Sequence, residues 1–314
     1  MVKLQHYVPR SYLKHFGFGE EKHPRIWCYD KLEKTAFPTS VKNVAAEKYF
    51  YHPPSEPQQP IEHVLGRFET VFGIARQRLL AASDPMSLSF DDKVAVAVFF
   101  ATQMVRTREH RHMIEDVMKQ TREWLQATGK LTPELDEWLG PGDADQMRRQ
   151  QLQNLSRGLV SELTAAVLRL KWMLLFNATG QPFWTSDHPV ALYNPVDAGL
   201  YGNLGLACKG IQVFFPLSPS QTLVFCDPVM YADRPPRGEV VPENVIFQNS
   251  LEVLASTRYL FGPSSNFAQA EVVLADHPDL ADPHRPRSRF GHGTDALMSK
   301  ARRAREHRAA ESAD

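Results

Sequence analysis

Two stretches in the middle of the chain carry apolar residues at helical spacing for turn after turn. IEHVLGRFETVFGIARQRLLAA places Ile61, Leu65, Phe68, Phe72 and Leu79 along one face. SFDDKVAVAVFFATQMVRTREHRHMIEDVMKQ opens on Ser89 and two aspartates suited to a helix start, and it stays periodic for about eight turns. Two long helices are expected, with a further one over QMRRQQLQNLSRGLVSELTAAVLRL. Before residue 52 and after residue 171 the apolar residues come instead in short runs bounded by turn residues. Helix and strand patterns are therefore segregated rather than alternating. That predicts an α+β fold, a central helical bundle packed against a small antiparallel sheet built from N-terminal and C-terminal hairpins.

The strand segments can be read one by one. PRSYLKHF forms a short docked helix, with Pro9 at its first position and Gly17 just past its end. RIWCYDKLEKTAF is a hairpin pattern around a polar turn. After Lys171, LKWMLLFNATGQPFWTSDHPV has two apolar runs around NATGQ, and GIQVFFPLSPSQTLVFCD repeats the design, so two successive hairpins are expected. PENVIFQNSLEVLASTRYLFG adds a helix and a closing strand.

The punctuation sets the domain layout. HPPSEPQQP, residues 52–60, holds four prolines and no hydrophobic residue, as an exposed linker does. Residues 1–282 are expected as a single α+β domain. Its helical part covers about 60–170 and includes a polar, Gly- and Pro-interrupted insertion over about 121–150, expected to be mobile. Residues 283–314 hold eight Lys or Arg against four Asp or Glu, so on a chain of net charge zero the remainder carries minus four. This reads as a loose basic tail, disordered or loosely helical.

Composition removes several function classes. Lys plus Arg equals Asp plus Glu, 36 each, so no global field draws the chain to nucleic acid or to an anionic membrane. The three cysteines are widely spaced, which disfavours a disulfide framework and a structural zinc and suits a reducing cytosol. The start has no leader-type apolar core, and the run VAVAVFFATQMV is too short to span a bilayer, so a cytoplasmic protein without a membrane partner is expected. No GxSxG, HExxH, phosphate-loop, GxGxxG or paired CxxC signature is present, and no particular metal or cofactor follows from the residues.

The order QHYVPRSYLKHFG, KNVAAEKYFY, IEHVLGRFE, QMVRTRE, PFWTSDHPV, FFPLSP and QNSLEVLASTRYLF resembles domain-of-unknown-function family 4238, a widespread bacterial family, over about residues 4–262. The resemblance places the family pattern on Gln5, His6, Pro9, Arg10, Tyr51, Glu62, Glu69, Arg106, Thr185, Ser186, Asp187, Pro189 and Asn249. Where family members often carry asparagine after the aspartate, this chain has His188. The resemblance implies no reaction.

Chemistry at these positions admits two readings. In the first, Thr185, Ser186 and Asp187 at a strand exit hold a water or a metal, Arg10 binds an anion, and His6 moves a proton. Gln5, Arg106 and Asn249 then complete the binding set. The protein would be hydrolase-like, acting on a phosphodiester or another anionic substrate, an anionic small molecule or a nucleic acid. This reading requires His6 and Asp187 to meet in one cleft.

In the second, Asp187 caps a turn, His6 and Arg10 pin the N-terminal segment, and Glu69 with Arg106 forms an ion pair locking two helices, where Glu62 and Glu69 could otherwise bind a cation. The protein would be a non-catalytic binding or regulatory component of a bacterial conflict or stress system. His110 and His112, two apart on their helix, are read as solvated surface.

Overall fold

A computed structural model describes residues 4–287 apart from 21, 53–59, 141–147, 149–150, 154, 156–157 and 197–202. The Pro-rich linker, the last part of the insertion and the tail beyond 287 lie almost wholly outside the described residues. The N-terminal part forms β1 (Leu4–His6), α1 (Arg10–Leu13), β2 (Arg25–Asp30), β3 (Thr35–Ser40) and β4 (Ala46–Lys48). The middle forms α2 (Pro60–Ala81), α3 (Phe90–Val105), α4 (Arg108–Ala127), α5 (Pro133–Leu139) and α6 (Leu159–Arg169). The rest forms β5 (Lys171–Asn177), β6 (Thr185–Ser186), β7 (Ala191–Tyr193), β8 (Gln212–Ser218), β9 (Gln221–Cys226), β10 (Arg237–Val240), α7 (Pro242–Ala255), β11 (Tyr259–Gly262) and α8 (Ala268–Asp276). The fold is α+β, with a helical middle as the periodicity predicts.

Among the described residues the strands form three sheets rather than one. A five-stranded sheet runs β10-β5-β9-β8-β7, a four-stranded sheet runs β3-β2-β11-β6, and β1 pairs with β4; β10 runs parallel to β5, so the largest sheet is mixed rather than antiparallel as expected. The hairpin expected around NATGQ does not form. β5 is apolar on both faces, with Trp172 and Leu174 in one cluster and Met173 and Leu175 in another, so a layer covers each face, and along its two edges it pairs with β9 and β10. The second run supplies only the two-residue β6, which pairs with β11 in the other sheet. The PLSPSQ hairpin forms as expected, as β8 and β9.

Strand alternation builds the core. Val213, Phe215 and Leu217 of β8 and Leu223 and Phe225 of β9 face α2, α3 and α6, while Phe214, Val224 and Cys226 face α7. Phe99 of α3 stacks on Phe72 of α2 at 3.8 Å between ring centroids, and Phe100 meets Phe225 at 4.6 Å. Gly17 is needed for close approach, since a Cβ there would lie 2.7 Å from the Arg25 carbonyl oxygen of β2.

The second long periodic stretch is two helices. α3 ends at Arg106, and Thr107, extended at φ −90° and ψ 166°, caps α4 by accepting the His110 N–H. Arg106, 2% exposed, lies at this break on the same buried face as Phe99, Thr102 and Gln103. Among the described residues no helix is long and apolar enough to cross a membrane.

Candidate functional site

Sheet register decides which chemistry meets. Tyr259 of β11 sits opposite Asp30 of β2, and Leu260 sits opposite Ser186 of β6. The residues just beyond these positions, Lys31, Arg258 and Asp187, therefore converge at one end of the four-stranded sheet.

Asp187 is 1% exposed, and its two carboxylate oxygens accept the N–H groups of Thr257 (2.8 Å), Arg258 (2.9 Å) and Tyr259 (3.0 Å). It caps the strand entry of a neighbouring segment rather than its own turn. Burial pushes its carboxyl above the usual carboxylate range, against the Lys31 charge and the N–H bonds. Lys31 is fully buried and donates from Nζ to the carbonyls of Val253 (2.8 Å) and Ser256 (2.7 Å) at the end of α7. That burial lowers the Lys31 pKa to about 7.

The other sequence-singled residues are also committed to the fold. Thr185 Oγ donates to Tyr12 Oη at 2.9 Å, since the Tyr12 hydroxyl proton goes to the Pro216 carbonyl at 2.6 Å. Ser186 Oγ closes a tight turn with the His188 backbone. Asn249 of α7 accepts the Trp184 N–H and donates to the Pro182 carbonyl, each at 3.0 Å, pinning the approach to β6. Gln5 Oε1 accepts the Tyr51 N–H at 2.7 Å. Arg106 spends Nε on Tyr51 Oη (3.0 Å), Nη1 on Glu69 (3.1 Å) and Nη2 on the His6 carbonyl (2.5 Å). The ion pair between α2 and the end of α3 is thus present, and Arg106 extends it into a staple on β1.

Among the described residues His6 and Asp187 have no common partner, and they line neither of the cavities described below. The His6 imidazole donates from Nε2 to the Lys42 carbonyl at 3.1 Å, and burial lowers its pKa to about 4, aided by Arg10 and Arg106. Arg10 is exposed on the first turn of α1. Among the described residues no group of three or more His, Cys, Asp or Glu is placed to hold a metal ion.

A cleft of about 440 Å³ opens instead beside this buried knot, over the first half of α4. Arg108, Arg111, His112 and Glu115 share one helical face, at spacings of three, four and seven. Thr257 and Arg258 at the head of β11, Glu47 of β4, and Pro283 and His284 form the other walls. Four arginines line the cleft, Arg148 among them, against two glutamates.

Each of the three well-fixed guanidiniums is braced from behind. Arg258 grips Asp30 through Nε (2.8 Å) and Nη2 (2.6 Å), and Arg108 grips Glu47 Oε2 through Nε (3.0 Å) and Nη2 (2.8 Å). Arg111 bonds Gln151 Oε1 and the Phe50 carbonyl, and its guanidinium lies 4.1 Å from the Phe50 ring centroid. In all three the Nη1 group has no partner among the described residues. His112 and His284 stand with ring centroids 5.7 Å apart, and burial lowers the His112 pKa to about 4, which keeps it neutral at pH 7.

The wall at 283–287 corrects two expectations. Arg285, 6% exposed, donates to the carbonyls of Leu254 (3.1 Å), Ser256 (3.0 Å) and Thr257 (3.3 Å). Arg287 holds both oxygens of Glu109 at 3.1 Å. The start of the basic tail is therefore docked on α4. The stretch REHRH is not a solvated surface either, since Glu109 also accepts from Thr257 Oγ at 2.8 Å, and Arg285 and Arg287 hold its carboxyl below the usual range despite burial. Periodicity held the missing signal: the spacing of Arg108, Arg111, His112 and Glu115 marks one face, whereas comparing the two histidines alone hides it.

A family model described as "Protein of unknown function (DUF4238)" matches residues 4–266. No curated protein and no solved structure matches the chain.

Proposed function

The chain belongs to the DUF4238 family of proteins of unknown function, and from that premise we propose that it binds a small anionic ligand, of phosphate type, in the cleft over α4. One observation carries the reading: Arg108, Arg111 and Arg258 converge on one opening, each braced through Nε and Nη2 and each with an Nη1 group lacking a described partner. Bracing fixes a planar donor in advance, so binding an anion costs little side-chain entropy. The excess of arginine over glutamate on the walls supplies attraction that the chain as a whole, at net charge zero, does not.

A hydrolytic reading on a phosphodiester rests on the two imidazoles at the same walls. There the arginines hold the phosphate, and His112, whose pKa burial lowers to about 4, takes a proton from the attacking water once the phosphate charge beside it raises that pKa, while the displaced alkoxide is protonated from solvent.

Titration calorimetry with pyrophosphate tests the binding reading. Binding that weakens at least tenfold in Arg258→Gln and in Arg111→Gln, and that falls with added salt, is expected. Absence of binding to a folded wild-type protein overturns it. Turnover of a chromogenic phosphodiester by the wild type that is absent from a heat-denatured control and lost in a folded His112→Ala separates the hydrolytic reading from simple binding.

A further inference from the structure

A second cavity of about 210 Å³ adjoins the basic cleft, and the two share Arg108 as a wall. Its other walls differ in kind. Tyr7 and Cys28, each 2% exposed, line it together with Phe37, Tyr259, Thr39 and Asn43, of which Phe37 and Asn43 are exposed. Burial raises the Cys28 thiol far above its ordinary pKa, so the wall it forms is uncharged. Two chain connections join the cavities besides Arg108: Glu47 lines the first and Ala46 the second, and Arg258 lines the first and Tyr259 the second.

Resting on the anion-binding reading above, we propose that the ligand is a nucleoside 5′-phosphate, with its phosphate in the basic cleft and its base in the cavity beyond Arg108. An inorganic anion leaves the second cavity unused. A phosphate on an aliphatic chain fills it but leaves the side chains of Asn43 and Thr39 facing carbon. A nucleobase satisfies both features, because its flat faces suit tyrosine and phenylalanine rings and its edges carry donors and acceptors for the amide and the hydroxyl. Arg108 stands at the junction with its guanidinium 5.5 Å from the Tyr7 ring centroid, and Arg258 stands 5.2 Å from that of Tyr259. Each arginine thus links a phosphate-type donor in one cavity to an aromatic wall of the other.

Calorimetry on the full chain with pyrophosphate, ribose 5-phosphate and the four common nucleoside 5′-monophosphates tests the proposal. At least one nucleoside monophosphate is expected to bind tenfold or more tightly than ribose 5-phosphate, and in Asn43→Ala that ratio is expected to fall toward 1. Asn43 is exposed on a short turn, so the variant should fold, and a thermal melt confirms it. If pyrophosphate and ribose 5-phosphate bind but no nucleotide binds better, the base site is refuted while the anion site stands. A nucleotide preference that survives in Asn43→Ala and in Phe37→Ala alike places the base elsewhere and also refutes it. If no anion binds at all, the reading beneath it fails as well.

Discussion

Replacing Asp187 by asparagine separates a structural clamp from a working carboxylate. The wild-type side chain accepts Thr257 N–H on one oxygen and the Arg258 and Tyr259 N–H groups on the other, at 2.8, 2.9 and 3.0 Å. An amide of the same shape accepts on one atom only. Its best placement keeps the oxygen where two N–H groups arrive and turns the NH2 toward the Thr257 N–H, a donor facing a donor. One charge-assisted bond of about 1.5–3 kcal/mol is lost, and the stranded buried N–H adds about 1 kcal/mol or more. Relief from burying a charge, which raises the Asp187 pKa in the wild type, offsets part of this. The expected loss is about 3 kcal/mol for Asp187→Asn and about 4–5 kcal/mol for Asp187→Ala, which strands all three donors. Urea unfolding at pH 7 measures it, with equal m values required for the comparison. A loss under about 1 kcal/mol in both variants would refute the clamp and return Asp187 to the list of catalytic bases.

Three further outcomes follow from the same contacts. Arg106→Ala should cost about 3 kcal/mol by stranding the buried end of the staple, and matched apolar residues at 106 and 69 should recover only the part owed to Glu69, because the Tyr51 hydroxyl and His6 carbonyl stay unpaired; equal losses in the single and double variants would rule out the ion pair as the lock. Ending the chain at 282 should lower Tm by several degrees, because Glu109 loses Arg285 and Arg287, whereas ending it at 287 keeps every described contact and should leave Tm unchanged; the same Tm for both would show that the strap contributes nothing. His188, lowered from 6.5 to about 4 by burial, contributes stability that is present above pH 6.5 and lost as pH falls toward 4, so His188→Asn should flatten the drop between pH 7 and pH 5 by about 1–2 kcal/mol, and an unchanged slope would contradict the depressed pKa.

The fold class was legible because helical and strand periods occupy different parts of the chain, and burying either kind of face requires a layer of its own. The cap at Ser89, the β8–β9 hairpin and the closing strand β11 were legible for the same local reason. Gln5, Arg106, Asp187 and Asn249 stood out through the family resemblance and the chemistry of their side chains. Sequence alone could not say whether such a group faces a ligand or a backbone, because the N–H groups that Asp187 accepts lie about seventy residues away.

Pairing decided the rest. Which strands became neighbours fixed three sheets instead of one, because β5 pairs along both edges with β9 and β10 while the two-residue β6 pairs with β11. The register of β2, β11 and β6 then brought Lys31, Arg258 and Asp187 to one end. The break at Thr107 turned one face of α4 across that end and opened the cleft beside it. Periods of 3.6 and 2 are written within a few residues and can be read there. A cavity is the space left between elements far apart in the chain, so only their packing could place four arginines around one opening.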